Sequence, residues 1–100
     1  MPLSIRADIL ALLHQRRDEI RSRFNTRQLS LFGSAARDEL RPESDIDVLV
    51  EFNGAASFDG YFDLKDYLED LLGRRVDLVT RKGLKPRARI NVERDLIHVA

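Results

Sequence analysis

Two aspartates, Asp45 and Asp47, stand one residue apart at the start of a segment that alternates in polarity. Successive side chains of a β-strand point to opposite faces, so carboxylates at i and i+2 would share one face. Two adjacent anions repel each other unless a cation or strong hydrogen-bond donors lie between them. Mg²⁺ prefers oxygen ligands and is commonly shared between carboxylates and substrate phosphates. The spacing therefore predicts that Asp45 and Asp47 bind a divalent metal ion.

A Gly-Ser pair, Gly33 and Ser34, lies between a predicted strand and a predicted helix. Backbone N–H groups at the start of a helix have no partner within it, and together with the helix dipole they favour an anion. Gly33 has no Cβ, so a phosphate could approach its backbone closely, and the Ser34 hydroxyl could donate to it. A phosphate site followed by a metal-binding carboxylate pair is what nucleotidyl or phosphoryl transfer requires.

A third carboxylate, Asp77, interrupts the apolar segment Arg75–Thr80, which is predicted to be a strand. A charge in an apolar strand is costly without a partner. If this strand lies beside the one that carries Asp47, Asp77 could complete the metal site or act as general base on an incoming hydroxyl. The alternative is an ion pair with Arg74 or Arg75 and no further role.

The elements that would position these side chains alternate between helices and strands, which predicts a small sheet with helices packed on it. Apolar periodicity and the positions of Gly and Pro set their bounds. The predicted elements are a helix from a cap at Ser4 to Phe24, a strand over Gln28–Phe32, two helical turns over Ser34–Leu40, a strand over Asp45–Phe52, a helix from Ser57 or Asp59 to about Leu72, a strand over Arg75–Thr80, a helix over Pro86–Asp95 and a final strand or docked tail over Leu96–Val99. The buried side of the long helix is expected to comprise Phe62, Leu64, Tyr67, Leu68, Leu71 and Leu72.

The composition agrees with one globular domain over residues 1–100, with 43% hydrophobic residues and no cysteine. The absence of cysteine excludes a disulfide scaffold and a thiolate zinc site. No apolar run is long enough to span a membrane, and no signal peptide is evident, so a cytoplasmic protein is the expectation. The net charge of zero conceals an acidic middle, residues 38–70, between two basic flanks.

The two motifs form one string: Gly33-Ser34, ten residues, then Asp45-x-Asp47. In its residues and their spacing, this string resembles the signature of the DNA polymerase beta-like nucleotidyltransferase superfamily. The short chain is similar to the minimal nucleotidyltransferase (MNT) domains. The resemblance covers about Leu31 to Thr80. It implies an α/β (α+β) fold with a small mixed β-sheet flanked by helices.

The resemblance also implies roles for individual residues. Gly33 and Ser34 would bind the nucleotide phosphates, Asp45 and Asp47 would ligate Mg²⁺ (two ions), and Asp77 would be the third acidic residue of the catalytic and metal site. ATP would be the substrate. MNT proteins are often antitoxins paired with a HEPN-type toxin, and some transfer AMP to a tyrosine of that partner. Many relatives have Gly after the Ala-Arg pair, where this chain has Asp38.

Two alternatives remain open beside the activity that the resemblance implies. The protein could be a non-catalytic antitoxin whose acidic middle binds a basic partner surface. It could also be a nucleotidyltransferase that acts on RNA through its basic C-terminal segment, which includes Arg87 and Arg89. That segment has no interleaved aromatic residues, which disfavours single-stranded RNA as a ligand.

Overall fold

The computed structural model describes residues 6–55 and 57–99, so the predicted cap at Ser4 lies outside the described residues. The described chain contains five helices and four strands. They are α1 (Arg6–Gln15), α2 (Arg17–Phe24), β1 (Thr26–Phe32), α3 (Gly33–Ala36), β2 (Ile46–Phe52), α4 (Phe58–Leu72), β3 (Val76–Thr80), α5 (Pro86–Asp95) and β4 (Ile97–His98). None of the described helices combines the length and apolar character needed to cross a membrane.

The four strands form one mixed sheet in the order β3-β2-β1-β4. β2 runs parallel to β3, whereas β1 is antiparallel to both β2 and β4. The parallel pair is possible because the chain between β2 and β3 contains α4, which crosses back over the sheet. This architecture confirms the predicted small mixed sheet flanked by helices.

One face of the sheet is covered by α1, α2 and α4 and holds the main core. The alternation predicted for β2 is confirmed, since Ile46, Val48 and Val50 are fully buried on this face. Leu29 and Leu31 of β1 pair with Val50 and Val48. α4 contributes Leu64, Leu68 and Leu72, whose spacing of four residues aligns them along one side of the helix.

The opposite face of the sheet is covered more sparsely. α5 packs on it through a small second cluster, in which Val92 and Leu84 contact Leu49 of β2. Asp47 and Asp77 lie on the same face as Leu49, because they are two residues from Leu49 and Val79 on their strands. The chemistry predicted from the sequence therefore falls on the sparsely covered face.

Three details differ from the sequence-based predictions. The first helix is interrupted at Arg16, whose N–H is 3.2 Å from the carbonyl oxygens of both Leu12 and Leu13. The predicted helix over residues 34–40 ends at Ala36, because Asp38 adopts a left-handed conformation with φ of 60°. Phe62 is 42% exposed. It lies two residues, about 200° of helix rotation, from Leu64 and so faces away from the core.

Candidate active site

The parallel pairing of β2 and β3 brings two of the three predicted carboxylates together. Asp47 is directly opposite Asp77 in the strand register, and neighbouring strands lie about 4.8 Å apart. Asp45 immediately precedes β2, and its carboxylate Oδ1 is 3.1 Å from Nε of Arg75. The amide of Ile46 donates to the carbonyl of Arg75 at 3.0 Å, which fixes the two segments side by side at the entrance to the strands.

Gly33 lies next to Asp47, because Phe32, the last residue of β1, pairs with Asp47. The chain turns sharply at Gly33, which has φ of +69°. A Cβ built on Gly33 would lie 2.1 Å from Oδ2 of Asp47, so no larger residue fits without displacing the carboxylate. Glycine is required here both by backbone conformation and by the close approach of Asp47. The Gly-Ser motif and the Asp-x-Asp motif are thus in direct contact.

Asp47 is the carboxylate whose acidity is most altered by its surroundings. Partial burial, and after it the negative charges of Asp77 and Asp45, together raise the pKa of Asp47 from 3.8 to about 6. The positive charge of Arg37 acts in the opposite direction and lowers the pKa of Asp47. A group with so strongly perturbed an acidity, placed in a cluster of like charges, is typical of functional sites.

Asp77 differs from its sequence-based description. It is exposed on β3 rather than buried in an apolar strand, so it carries no large desolvation cost. Of the two arginines considered as partners, Arg75 pairs with Asp45. The guanidinium of Arg74 donates to the carbonyl of Ser44 at 2.7 Å, and so holds the loop that leads into β2.

The donor set of the site agrees with a hard divalent cation, although the carboxylates do not form a closed metal site. Within residues 6–55 and 57–99, no three His, Cys, Asp or Glu side chains are close enough to share one ion. Mg²⁺ usually takes one or two carboxylates and completes its shell with water and substrate phosphate oxygens. Asp45 and Asp47 supply such a pair, and the raised pKa of Asp47 marks negative charge that a cation would stabilise.

Asp38, where many MNT proteins have glycine, is bound to the start of α1. Its side chain accepts a hydrogen bond of 2.9 Å from the backbone N–H of Arg6 at the start of α1. Arg6 in turn donates to the carbonyl of Ala36 at 3.0 Å. Asp38 therefore ties α1 to the end of α3. Its left-handed backbone gives a physical reason for glycine at this position in other chains.

Two cavities lie away from the carboxylates. One, of about 860 Å³, lies between α2 and α4 and is lined by residues that include Glu19 and Tyr67. The other, of about 780 Å³, lies beyond the opposite ends of β2 and β3, beside Phe52 and Phe58. Asp45, Asp47 and Asp77 line neither of these two cavities.

Comparison with known proteins identifies the family. Residues 13–99 match the family model described as the nucleotidyltransferase domain. The chain belongs to the nucleotidyltransferase domain family. A candidate protein adenylyltransferase of Methanocaldococcus jannaschii is 40% identical to it over 96 residues, which cover 93% of this chain and 96% of the relative. The protein adenylyltransferase MntA of Thermococcus cleftensis is 39% identical over 92% of this chain and 93% of its own length.

Solved structures agree with this nucleotidyltransferase fold. A structure of a candidate minimal nucleotidyltransferase superposes with a TM-score of 0.74 at 41% identity, covering 88% of this chain and 93% of the other. A Shewanella oneidensis complex of a tri-AMPylated HEPN toxin with an MNT antitoxin includes a similar chain. Its TM-score is 0.67 at 18% identity, over 91% of this chain and 71% of the other. At that identity the likeness concerns the fold.

Sequence reasoning gave no role to two residues that lie beside the candidate site. Arg37 follows α3, and its charge acts on Asp47. Asp95, at the end of α5, accepts a hydrogen bond of 2.6 Å from Nη1 of Arg37. Arg37 was visible as part of the motif. Nothing in the sequence pattern linked it to a residue 58 positions away, because the link depends on how α5 packs.

Proposed function

We propose that this nucleotidyltransferase transfers AMP from ATP to a hydroxyl group of a partner protein, and that it thereby acts as the antitoxin of a HEPN-type toxin. The observation that carries the proposal is the contact of Asp47 with Gly33 at the start of β2, beside Asp45 and opposite Asp77. The identity of about 40% to protein adenylyltransferases supports AMP and a protein hydroxyl as the transferred group and its acceptor.

In this proposal the Gly-Ser motif and the Asp-x-Asp motif bind different parts of the substrate complex. Gly33 and Ser34 bind the phosphates of ATP, and Asp45 and Asp47 hold Mg²⁺, two ions in the full site. When bound, the metal offsets negative charge on the triphosphate and aligns the attacking and leaving oxygens. The ion pair with Arg75 would not prevent Asp45 from holding a cation, because the Arg75 side chain is 78% exposed and exposed ion pairs are weak.

The reaction forms one bond and breaks another at the α-phosphorus. The acceptor hydroxyl oxygen attacks this phosphorus, and the bond from it to the oxygen that bridges to the β-phosphorus breaks. The products are the AMP ester of the partner and pyrophosphate. The hydroxyl proton passes to a base, for which Asp77 is placed best: it is exposed and directly opposite Asp47.

The proposed partner follows from relatives that carry the same domain. An MNT antitoxin of similar fold is found in complex with a HEPN toxin that carries AMP groups. This chain has an acidic middle, residues 38–70, which would complement a basic RNase surface. An RNA substrate has less support, because Arg81 of the basic segment already pairs with Glu51 at 3.4 Å and Glu93 at 3.7 Å.

The test is transfer of label from α-labelled ATP to a purified HEPN-type partner in the presence of Mg²⁺. Asp47→Ala is expected to reduce transfer by about a thousandfold, which corresponds to about 4 kcal/mol of lost charge stabilisation in the transition state. Asp18→Ala is a matched control, since Asp18 lies on α2 with a side chain 95% exposed. Its transfer rate should equal that of the unaltered protein.

The outcomes separate the three functions considered. No transfer by the unaltered protein, or equal transfer by Asp47→Ala, contradicts the proposal. Neutralisation of the toxin by Asp47→Ala at full strength would favour an antitoxin that acts by binding alone. Label on RNA rather than protein, with RNA affinity that falls steeply with salt and is lost in Arg87→Gln with Arg89→Gln, would favour an RNA substrate.

A further inference from the structure

An ion pair joins Asp95, at the end of α5, to Arg37, which follows α3. Nη1 of Arg37 is 2.6 Å from Oδ2 of Asp95, and Nε of Arg37 is 3.4 Å from Oε2 of Glu39. The two carboxylates differ in setting, since the Asp95 side chain is 13% exposed and that of Glu39 is 65% exposed. Hydrogen bonds between charged groups are strongest when they are short and sheltered from water. Asp95 therefore dominates the position of the guanidinium.

Asp95 is itself held from both sides in the chain. It is the last residue of α5, which is anchored by buried Val92. It is followed by β4, in which Ile97 pairs with Leu31 of β1. A carboxylate fixed between a packed helix and a paired strand is a rigid support for the arginine that it binds.

Arg37 is placed to serve the site as well as the fold. Its backbone N–H donates to the carbonyl of Gly33 at 3.1 Å, so the residue belongs to the same turn that contacts Asp47. The contacts with Asp95 and Glu39 engage Nη1 and Nε, and a guanidinium carries five N–H donors. Donors therefore remain for a phosphate, which arginine binds through paired N–H groups.

We propose that Asp95 is a positioning residue that holds the Arg37 guanidinium at the candidate site, where Arg37 contacts a phosphate group of the nucleotide. This inference rests on the proposed function, because it concerns the same nucleotide. It assigns the C-terminal helix a part in substrate binding. The competing explanation is that the ion pair only fastens α5 to α3 and adds stability.

The experiment measures ATP affinity by calorimetry in excess Mg²⁺, well below the unfolding temperature of each variant. Arg37→Gln should weaken ATP binding about tenfold or more, since a hydrogen bond to a charged group contributes about 1.5–3 kcal/mol. Asp95→Asn keeps the shape of the side chain and removes its charge, and should weaken binding about threefold to tenfold. Glu39→Gln, the matched control at the exposed carboxylate, should stay within about twofold.

The double variant decides between positioning and a merely structural role. If Asp95 acts through Arg37, then Arg37→Gln with Asp95→Asn binds ATP no more weakly than Arg37→Gln alone. Losses that add, or an Asp95→Asn variant that unfolds at lower temperature yet binds ATP like the unaltered protein, overturn the inference and leave the proposed function intact. Failure of the unaltered protein to bind ATP overturns both.

Discussion

Neighbouring residues of β2 face two very different environments. Val48 is fully buried in the main core, between the sheet and α1, α2 and α4. Asp47, one residue earlier, points to the opposite face, where partial burial and the charges of Asp77 and Asp45 raise its pKa. The first environment stabilises the fold by removing apolar surface from water. The second brings together like charges that oppose folding until a ligand neutralises them.

The comparison indicates which face of the sheet can tolerate repulsion between neighbouring carboxylates. The face covered by α1, α2 and α4 holds a buried cluster of fifteen residues. The face covered by α5 has a buried cluster of three, Leu49, Leu84 and Val92. Repulsion among carboxylates at the thinly covered face can be tolerated because the main core does not depend on it. The candidate site thus lies on the face with the smaller buried cluster.

Two glycines allow the sharpest test of this difference between the two faces of the sheet. They share a backbone conformation, but one lies at the carboxylates and the other at the end of α4. Gly33 (φ +69°) touches Asp47, whereas at Gly73 (φ +66°), which ends α4, an added Cβ would meet no other part of the chain within 4 Å. Gly33→Ala is expected to reduce AMP transfer about a hundredfold, because displacement of a catalytic group by about 1 Å has this effect. Gly73→Ala should leave transfer unchanged.

Both alanine variants should lose about 1–2 kcal/mol of unfolding free energy, since left-handed backbone is costly for alanine. Urea denaturation measures that loss, and the labelled-ATP assay measures transfer. If Gly33→Ala retained normal transfer, Asp47 would not need its present position. If Gly73→Ala lost transfer equally, the effect would belong to the backbone strain and not to the carboxylate.

Much of this division could be predicted from the sequence, because the motif spacing and the alternation along β2 are local patterns. They predicted that Asp45 and Asp47 share a face and that Asp77 lies on a strand, and they left open whether that strand pairs with β2, as it does. What local patterns could not give is contact between distant segments. The exposure of Asp77 depends on its place on an edge strand, and the Arg37–Asp95 ion pair depends on how α5 packs against α3.

The acidity of Asp47 gives a second test, through the pH dependence of stability. The folded-state pKa of about 6 exceeds the ordinary 3.8, so the folded state binds the proton more tightly than the unfolded state does. The unfolding free energy contributed by this group is therefore present below about pH 4 and is lost as the pH rises through about 6. After discounting for partial exposure, the loss should be about 1 kcal/mol.

Asp47→Asn removes this titration, so it should be more stable than the unaltered protein by about that amount at pH 7 and equal to it near pH 4. Chemical denaturation at both pH values, without divalent metal, measures the difference. The comparison between the variant and the unaltered protein cancels other titrating groups. A variant that is less stable at pH 7 would show that the carboxylate contributes to folding and is not repelled by its neighbours.

The smallest effect is expected at Asp38, which tests how far the carboxylate cluster extends. Its side chain accepts from Arg6 N–H at 2.9 Å and so should contribute nothing to the repulsion around Asp47. Asp38→Gly relieves the left-handed strain but removes this hydrogen bond and adds freedom to the unfolded chain. These contributions, each of about 1 kcal/mol or less, nearly cancel. Unfolding free energy should change by no more than about 0.5 kcal/mol, and AMP transfer by no more than about twofold. A tenfold gain in transfer would instead place the Asp38 carboxylate among the charges that face the nucleotide.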